Sequence, residues 1–251
     1  MKPQQFFIAS AISLIANSAY AESPEPDEVE ISIGGFIGSG QSLYIDGDEK
    51  VEFMPRIRAR WNNFFINGLK FGGYLYEDRN WQVRAAIGLG NVEDTDRDSS
   101  DVLDDMDDLD STIEGKLGFA YEAEWGEVDL ALSTDLNDTY DGYAAELAYS
   151  YPLKVGSWLF EISVEMEWLS KDVNRYYYGV TAEQAKPGRE FYQPDSGVNY
   201  ALEQSAMYSI DESQSILIRA VYKTYSSEIT DSPIVDRDHT AEIGIGYVYR
   251  F

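Results

Sequence analysis

From Ser157 to Leu169, Trp158, Phe160, Ile162, Val164, Met166 and Trp168 alternate with Glu161, Ser163, Glu165 and Glu167. Strict alternation puts the two sets on opposite faces of a β-strand. The same period recurs upstream. Val51, Phe53, Ile57 and Trp61 alternate with Glu52, Arg56, Arg58 and Arg60; Ile113, Leu117, Phe119, Tyr121 and Trp125 alternate with Glu114, Lys116, Gly118, Glu122 and Glu124; Tyr143, Ala145, Leu147, Tyr149 and Tyr151 alternate with Gly142, Ala144, Glu146 and Ser150. Ile216, Ile218 and Tyr222 alternate with Arg219 and Lys223, and the chain closes on Ile243, Ile245, Tyr247, Tyr249 and Phe251, set against Glu242, Gly244, Gly246 and Arg250. These runs approach the ~9 to 11 residues that a tilted strand needs to cross a bilayer and exceed the ~5 to 6 usual in soluble sheets. Aromatics mark the ends of the apolar faces, as interfacial girdles would, whereas the other parity is too charged for a core. A soluble β-sandwich would show shorter strands without girdles. The pattern predicts an all-β, transmembrane up-and-down antiparallel barrel of the outer-membrane type.

Connections fall into two kinds. Short ones are expected at Trp61-Asn62, Glu77 to Asn80, Trp125-Gly126, Pro152 to Gly156 and Asp211 to Ser213, and long outer loops at 39–50, 91–111, 170–197 and 225–238, with a lesser one from Leu136 to Tyr140. They alternate, as inner turns and outer loops must when both termini lie inside. An Asn67-Gly68 type I′ turn between Asn62 to Ile66 and Leu69 to Tyr76 gives twelve strands. A bulge there would leave eleven, an odd number that sends the termini to opposite sides; ten is the other alternative. Phe251, with Tyr247 and Tyr249 on the same face, has the character of the terminal signal by which barrel-assembly machinery recognises its substrates.

Composition narrows the class further. With 45 Asp and Glu against 19 Lys and Arg and a net charge of −26, no basic surface is left to bind nucleic acid. Lys2, the apolar stretch Phe6 to Ala16 and the small-residue pattern Ala19-Tyr20-Ala21 read as a secretory signal, residues 1–21, cleaved near Ala21. A short periplasmic segment, 22–28, then leads into one barrel domain, 29–251. Nothing after Ala21 has the ~20 apolar residues of a spanning helix. The absence of cysteine is compatible with an oxidising compartment and identifies none. The expected location is the outer membrane of a Gram-negative bacterium, in contact with lipid and lipopolysaccharide.

Tyr177-Tyr178-Gly179-Val180-Thr181, continuing through Ala182-Glu183-Gln184-Ala185 to Tyr192 and Gly197, resembles the Tyr-Phe-Gly-Val-Ser/Thr segment of the MltA-interacting protein/outer membrane protein V family. Ser232-Pro233-Ile234-Val235 is similar to that family's Ser-Pro-Ile-Val motif before the last strand, and Asp141-Gly142 leading to Tyr151-Pro152-Leu153 also fits. Tyr178 departs from the usual Phe, and the acidic 91–111 loop is longer and more charged than the family pattern. The resemblance implies an outer-membrane barrel and, in namesake members, a scaffold bringing a periplasmic murein-degrading lytic transglycosylase to a murein synthase. Other members are porin-like, so a narrow diffusion channel with a charged lumen is the alternative.

The lumen-facing parity carries Arg56, Arg58, Arg60 and Arg84 early and Glu114, Glu122, Glu124, Glu161, Glu165 and Glu167 later. Such charges can brace the wall as pairs or set a transverse field across a narrow pore. Twelve strands leave a lumen between one that side chains just fill and an open porin. Thr181 and Gln184 have capping-box spacing, which predicts a short helix starting there in a loop that constricts the mouth. From Glu93 to Asp110, ten of eighteen residues are Asp or Glu. Asp94, Asp96, Asp98 and Asp105 follow an EF-hand register, but Ser99 stands where Gly is needed and Asp105 where Glu is needed. That run reads as a solvated loop or a loose cation surface towards lipopolysaccharide phosphates; no metal site and no cofactor is expected. His239 is the single histidine, at the outer rim, and no Gly-x-Ser-x-Gly occurs, so no enzyme is expected.

Overall fold

The computed structural model describes residues 29–90 and 97–251, so the expected signal sequence, its expected cleavage site and the expected segment 22–28 lie outside the described residues. The strands are β1 (Val29–Gly40), β2 (Lys50–Trp61), β3 (Phe64–Asn67), β4 (Lys70–Glu77), β5 (Trp81–Leu89), β6 (Ile113–Ala123), β7 (Gly126–Asp135), β8 (Tyr143–Val155), β9 (Trp158–Leu169), β10 (Gly197–Ser209), β11 (Gln214–Thr224) and β12 (His239–Arg250). Each pairs antiparallel with its sequence neighbours, and β1 closes on β12 from Ser32↔Arg250 to Gly40↔Glu242. The result is a closed twelve-stranded barrel, which leaves no free sheet edge along most of the wall.

Among the described residues the loops carry helix α1 (Lys171–Tyr178), the single turn α2 (Ser227–Thr230) and two 3-10 turns, Arg97–Ser99 and Asp101–Leu103. Outward-facing side chains are the apolar parity, with Val51 75% and Ile243 63% exposed. Near the inner end their aromatics join into a belt: Trp81–Tyr121 at 4.5 Å between ring centres, Tyr121–Trp125 at 6.0 Å, Trp125–Tyr149 at 6.1 Å and Trp158–Tyr208 at 4.9 Å. This is where amphipathic rings gain from sitting between lipid and water.

The wall is uneven at β3. This strand has four residues and meets β2 only from Arg58↔Asn67 to Trp61↔Phe64, whereas β1 pairs with β2 along its full length. The β3–β4 turn is one residue later than its sequence suggests. Asn67 pairs with Lys70, so Gly68 and Leu69 form the loop, with φ of 59° at Gly68. A left-handed first loop residue is the II′ arrangement, and glycine adopts it without strain. The inner turns are likewise Asn62–Asn63 and Glu124–Trp125, each one residue off the expected position.

Above β3, the flank of β2 away from β1 has no strand partner among the described residues. Ile57 accepts from the Gly68 N–H at 2.8 Å, so alternate residues towards the outer end, including Pro55, turn their backbone groups to this flank. A proline lacks a donor and is tolerated on such an edge.

Candidate functional site: a paired lumen beneath a loop cap

Inside the barrel, charged side chains link strands around the wall. Arg60 meets Glu77 at 2.5 Å and lies over the Tyr74 ring at 4.4 Å; Arg84 pairs with Asp129; Lys116 meets Glu146 at 2.7 Å. Lys223 meets Glu167 at 2.8 Å, and Asn199 Nδ2 donates to the same carboxylate at 3.1 Å. Arg219 serves two partners, Glu203 at 2.9 Å and Glu242 at 3.7 Å. Asp129, Glu146, Glu161 and Glu167 are buried. Each pairing satisfies a charge that would be costly alone in this setting. A small apolar cluster, Phe36 and Leu217 with Met54, Leu159 and Met207, fills space between them.

Not every charge is matched. Among the described residues Arg56 and Arg58 have no ion-pair partner, and Arg58 Nη2 is buried without a hydrogen bond. Among the described residues Glu161 and Glu165, also lumen-facing, are in no direct ion pair, although Lys223 and Lys116 stand in range of Glu165. Glu122 is half-buried near the inner end, whereas Glu124 is exposed in the inner turn. The reading of Glu124 as a lumen residue is thereby corrected: β6 ends at Ala123, and the chain reverses before the next inward position.

The outer loops have a core of their own. Leu43, Tyr44, Leu103, Met106, Leu109, Tyr140, Val173, Tyr177, Tyr178, Val180, Ile229, Ile234 and Val235 are buried against one another. α1 supplies Val173, Asn174, Tyr177 and Tyr178 to it. At its end the Gly179 N–H bonds the Arg175 carbonyl at 3.0 Å, and a Cβ on Gly179 would stand 2.3 Å from that oxygen. Val180 and Tyr192 exchange backbone bonds of 2.8 and 3.0 Å.

Arg97, buried, donates to the carbonyls of Tyr176 at 3.0 Å and Tyr177 at 2.8 Å, where α1 leaves acceptors unsatisfied. Ile45 N–H bonds the Ile234 carbonyl at 2.9 Å, and Tyr44 Oη the Tyr177 carbonyl at 3.1 Å. The cap is tied to the lumen by Tyr140 Oη, which donates to Glu114 at 3.0 Å. Burial, with the Glu114 charge nearby, raises the Tyr140 phenol well above its ordinary value, and burial raises Tyr177 as well.

Much of this differs from the expected loops. Thr181 and Gln184 do exchange the two bonds of a capping box, at 3.2 and 3.3 Å, but they close a turn and no helix follows. The helix lies earlier, between Ser170 and Gly179. The acidic run is not merely solvated either. Leu103, Met106 and Leu109, every third residue among carboxylates, are buried in the cap, and Asp105 forms a bidentate pair with Arg189 at 2.8 Å for each bond. Arg189 and Lys186 hold the Asp105 carboxyl well below the usual range. Asp94 and Asp96 lie outside the described residues; among those described, no group of three or more acidic or histidine side chains is placed to hold a metal ion.

The two motif segments converge in this cap: Ser232 Oγ donates to the Tyr178 carbonyl at 2.7 Å, with Ile234 and Val235 buried beside it and Pro233 half-buried. The family model of MltA-interacting protein MipA matches residues 33–251. The chain belongs to the MipA family. It is 31% identical over 240 residues to the MltA-interacting protein of Escherichia coli K12, covering 95% of this chain and 96% of the relative. It is 24% identical to the putative outer membrane protein YiaT of Escherichia coli O157:H7, over 88% of this chain and 91% of that one. With the outer membrane protein OmpV of Vibrio cholerae it shares 26% identity over 62% and 61% of the two chains. Among solved structures, an anion-selective porin from Comamonas acidovorans is similar with a TM-score of 0.43 at 5% identity, covering 89% of this chain and 99% of that one.

As a MipA-family protein the chain is an outer-membrane barrel, and the family motif residues Tyr177, Tyr178, Gly179, Val180 and Ser232 to Val235 occupy the cap rather than the lumen. Thr181 closes the turn that follows them. At the other end of the fold Tyr247 and Tyr249 face outward on β12, Tyr247 Oη donates to Gln214 at 2.7 Å, and the Phe251 N–H bonds the Ile31 carbonyl at 3.0 Å. The lumen residues Asp129 and Glu203 were not singled out from sequence, although both share the inward parity of their strands.

Proposed function

We propose that this MipA-family protein is a non-catalytic outer-membrane scaffold, closed to free diffusion, whose periplasmic turns engage a murein-degrading lytic transglycosylase and a murein synthase. The observation that carries this reading is the combination of lumen charges linked into pairs with a cap that buries its own core. An open pore has little use for either.

The inner turns suit docking because they are short and braced. Asp78 accepts from the N–H groups of Asn80 at 2.9 Å and Trp81 at 2.8 Å and from Tyr76 Oη at 2.6 Å, and Asn80 Nδ2 reaches the Glu122 carbonyl at 2.8 Å. Asp211 binds the N–H groups of Ser213 and Gln214 at 2.9 and 2.8 Å. A surface held this way loses little entropy on binding. The non-catalytic part rests on His239, which is exposed, bonded to the adjacent Asp238 at 2.6 Å and set against Tyr222 at 5.2 Å between ring centres, the surroundings of an interfacial residue.

The test is co-purification of periplasmic murein enzymes with the intact barrel, alongside planar-bilayer recording of the same preparation. Arg79 and Glu212 are exposed in these two inner turns; capture that is lost when Arg79→Glu and Glu212→Lys are combined, together with electrical silence, supports the scaffold. Steady ion-selective openings without capture overturn it in favour of the narrow channel.

A further inference from the structure

Five lumen-facing apolar residues lie in one unbroken row across six neighbouring strands. Met54 on β2 pairs with Phe36 on β1, Phe36 with Gly246 on β12, Gly246 with Leu217 on β11, Leu217 with Met207 on β10, and Met207 with Leu159 on β9. Strands in a barrel tilt, so the row slants: Leu159 is second from the inner end of β9 and Met54 fifth from the outer end of β2. Phe36 and Leu217 are packed together, with Met54, Met207 and Leu159 against them. They are only 9% and 5% exposed although they face the interior, which a water-filled lumen would not allow. On the far wall Ala120 and Ala148 share the inward row of Asp129, and they are 4% and 3% exposed, so the interior is filled there too.

Just outward of this row lies a cavity of about 50 Å³, lined by Phe36 and Met54 from the row and by Glu52, Arg219, Glu242 and Gln41 beyond it. At ~10 to 15 Å³ for each water, it has room for about three to five. The Phe36 ring forms its inner limit. That ring lies flat against the wall where β12 carries glycine, and a Cβ on Gly244 or Gly246 would collide with it. On the inner side of the row Arg58, Glu122 and Glu127 are half-buried. Polar groups on both sides can exchange protein partners for water as an ion passes. Apolar side chains offer an ion nothing in place of its hydration, and a constriction lined by them stays dry.

We propose that Phe36 and Leu217, seated with Met54, are the permeability barrier of this barrel, so that ion flow is held off by the apolar row and not by the cap. The proposal deepens the reading of a barrel closed to diffusion and rests on it. It makes the protein a latent channel that conducts once the row is parted.

Planar-bilayer recording in potassium chloride tests it on barrels first checked for the heat-modifiable gel mobility of the folded state. The wild type and the cap pair Gly179→Ala with Ser232→Ala should both be silent. Phe36→Ser with Leu217→Ser should conduct, with ion flux at least tenfold above wild type, whereas Phe36→Leu, which keeps the row apolar, should stay silent. If the double serine variant does not fold, Phe36→Ser alone and Met54→Gln take its place, and each should raise flux several-fold. Silence of the folded serine variants overturns the proposal, and so does conduction by the cap pair with Phe36 and Leu217 intact. Neither result touches the capture of murein enzymes; steady openings in the wild type overturn the closed reading and this proposal together.

Discussion

Ser232 and Tyr178, 54 residues apart in the chain, meet inside the cap, where the serine Oγ donates to the tyrosine carbonyl at 2.7 Å. Both residues are buried, so the carbonyl has no water to turn to. Ser232→Ala should cost the cap about 1 to 3 kcal/mol, the usual penalty for a buried acceptor left without a donor. Gly179→Ala should cost more, because its methyl would meet the Arg175 carbonyl. Hydrogen exchange is the measurement: amides of α1 and of residues 229–235 should exchange faster in both variants while the strands stay protected. Unchanged cap exchange in both would mean that the convergence of the motif segments does not hold the cap.

The cap should also respond to alkali. Tyr140, Tyr176, Tyr177 and Tyr192 all have phenols raised above the ordinary value, chiefly by burial. In the unfolded loops these groups ionise near pH 10. Below that, both states hold the proton and the cap keeps its full stability; above it, the opened state gains by releasing protons that the closed state retains. Trypsin cleavage within residues 97–112 and 171–196 should therefore accelerate as pH rises past about 10, while the barrel keeps its folded gel mobility. Tyr177→Phe should blunt the rise. A flat profile to pH 11 would contradict burial of these hydroxyls.

Pro55 offers a test of the uneven wall. A proline inside a strand paired on both flanks would remove a ladder bond, yet here its flank lies above the end of β3. Pro55→Val should leave resistance to urea unchanged within about 0.5 kcal/mol, the range of an ordinary surface substitution. Ile218→Pro, on a strand paired with both Ala206 and Ile245, should prevent a stable barrel. If Pro55→Val destabilises the protein strongly, that flank has a partner after all.

The wall was legible in the sequence because lipid and lumen impose opposite demands on alternate residues, so one period of two reports the fold. That is why twelve strands could be counted from runs such as Trp158 to Leu169. Turn positions slipped by a residue because the hairpin at Gly68 is decided by which residue must take positive φ, not by the Asn-Gly pair as such.

The cap was illegible for a different reason. Its core is assembled from five separated loops, and no local period announces it. Leu103, Met106 and Leu109 did carry a signal, apolar at every third position, but ten carboxylates around them pointed to solvent. Likewise Arg97, the lone base in that run, reads as a surface charge until the ends of α1 are known to need donors. Four of the lumen pairs, such as Lys116–Glu146, join strands that are neighbours but one, while Arg219 meets Glu203 and Glu242 on the adjacent strands, and neither arrangement is announced by a motif.

Arg84 and Asp129 show how tightly the lumen pairs bind the wall together. Arg84 projects from β5 and Asp129 from β7, so their contact reaches across β6, and the Asp129 side chain is only 3% exposed. Replacing Arg84 with Met leaves that carboxylate buried without its partner, which should destabilise the barrel by about 3 to 5 kcal/mol. Arg84→Met combined with Asp129→Leu removes both charges together with their desolvation cost and should recover most of the loss. Urea unfolding in micelles, followed by tryptophan fluorescence, measures the four corners of this cycle. A coupling near zero would show the pair to be incidental, and the bracing role of the lumen charges would then fall to Lys116–Glu146 and Lys223–Glu167. A large coupling makes the lumen a cross-linked wall, whose stability is bought by filling the space that a diffusion channel would need.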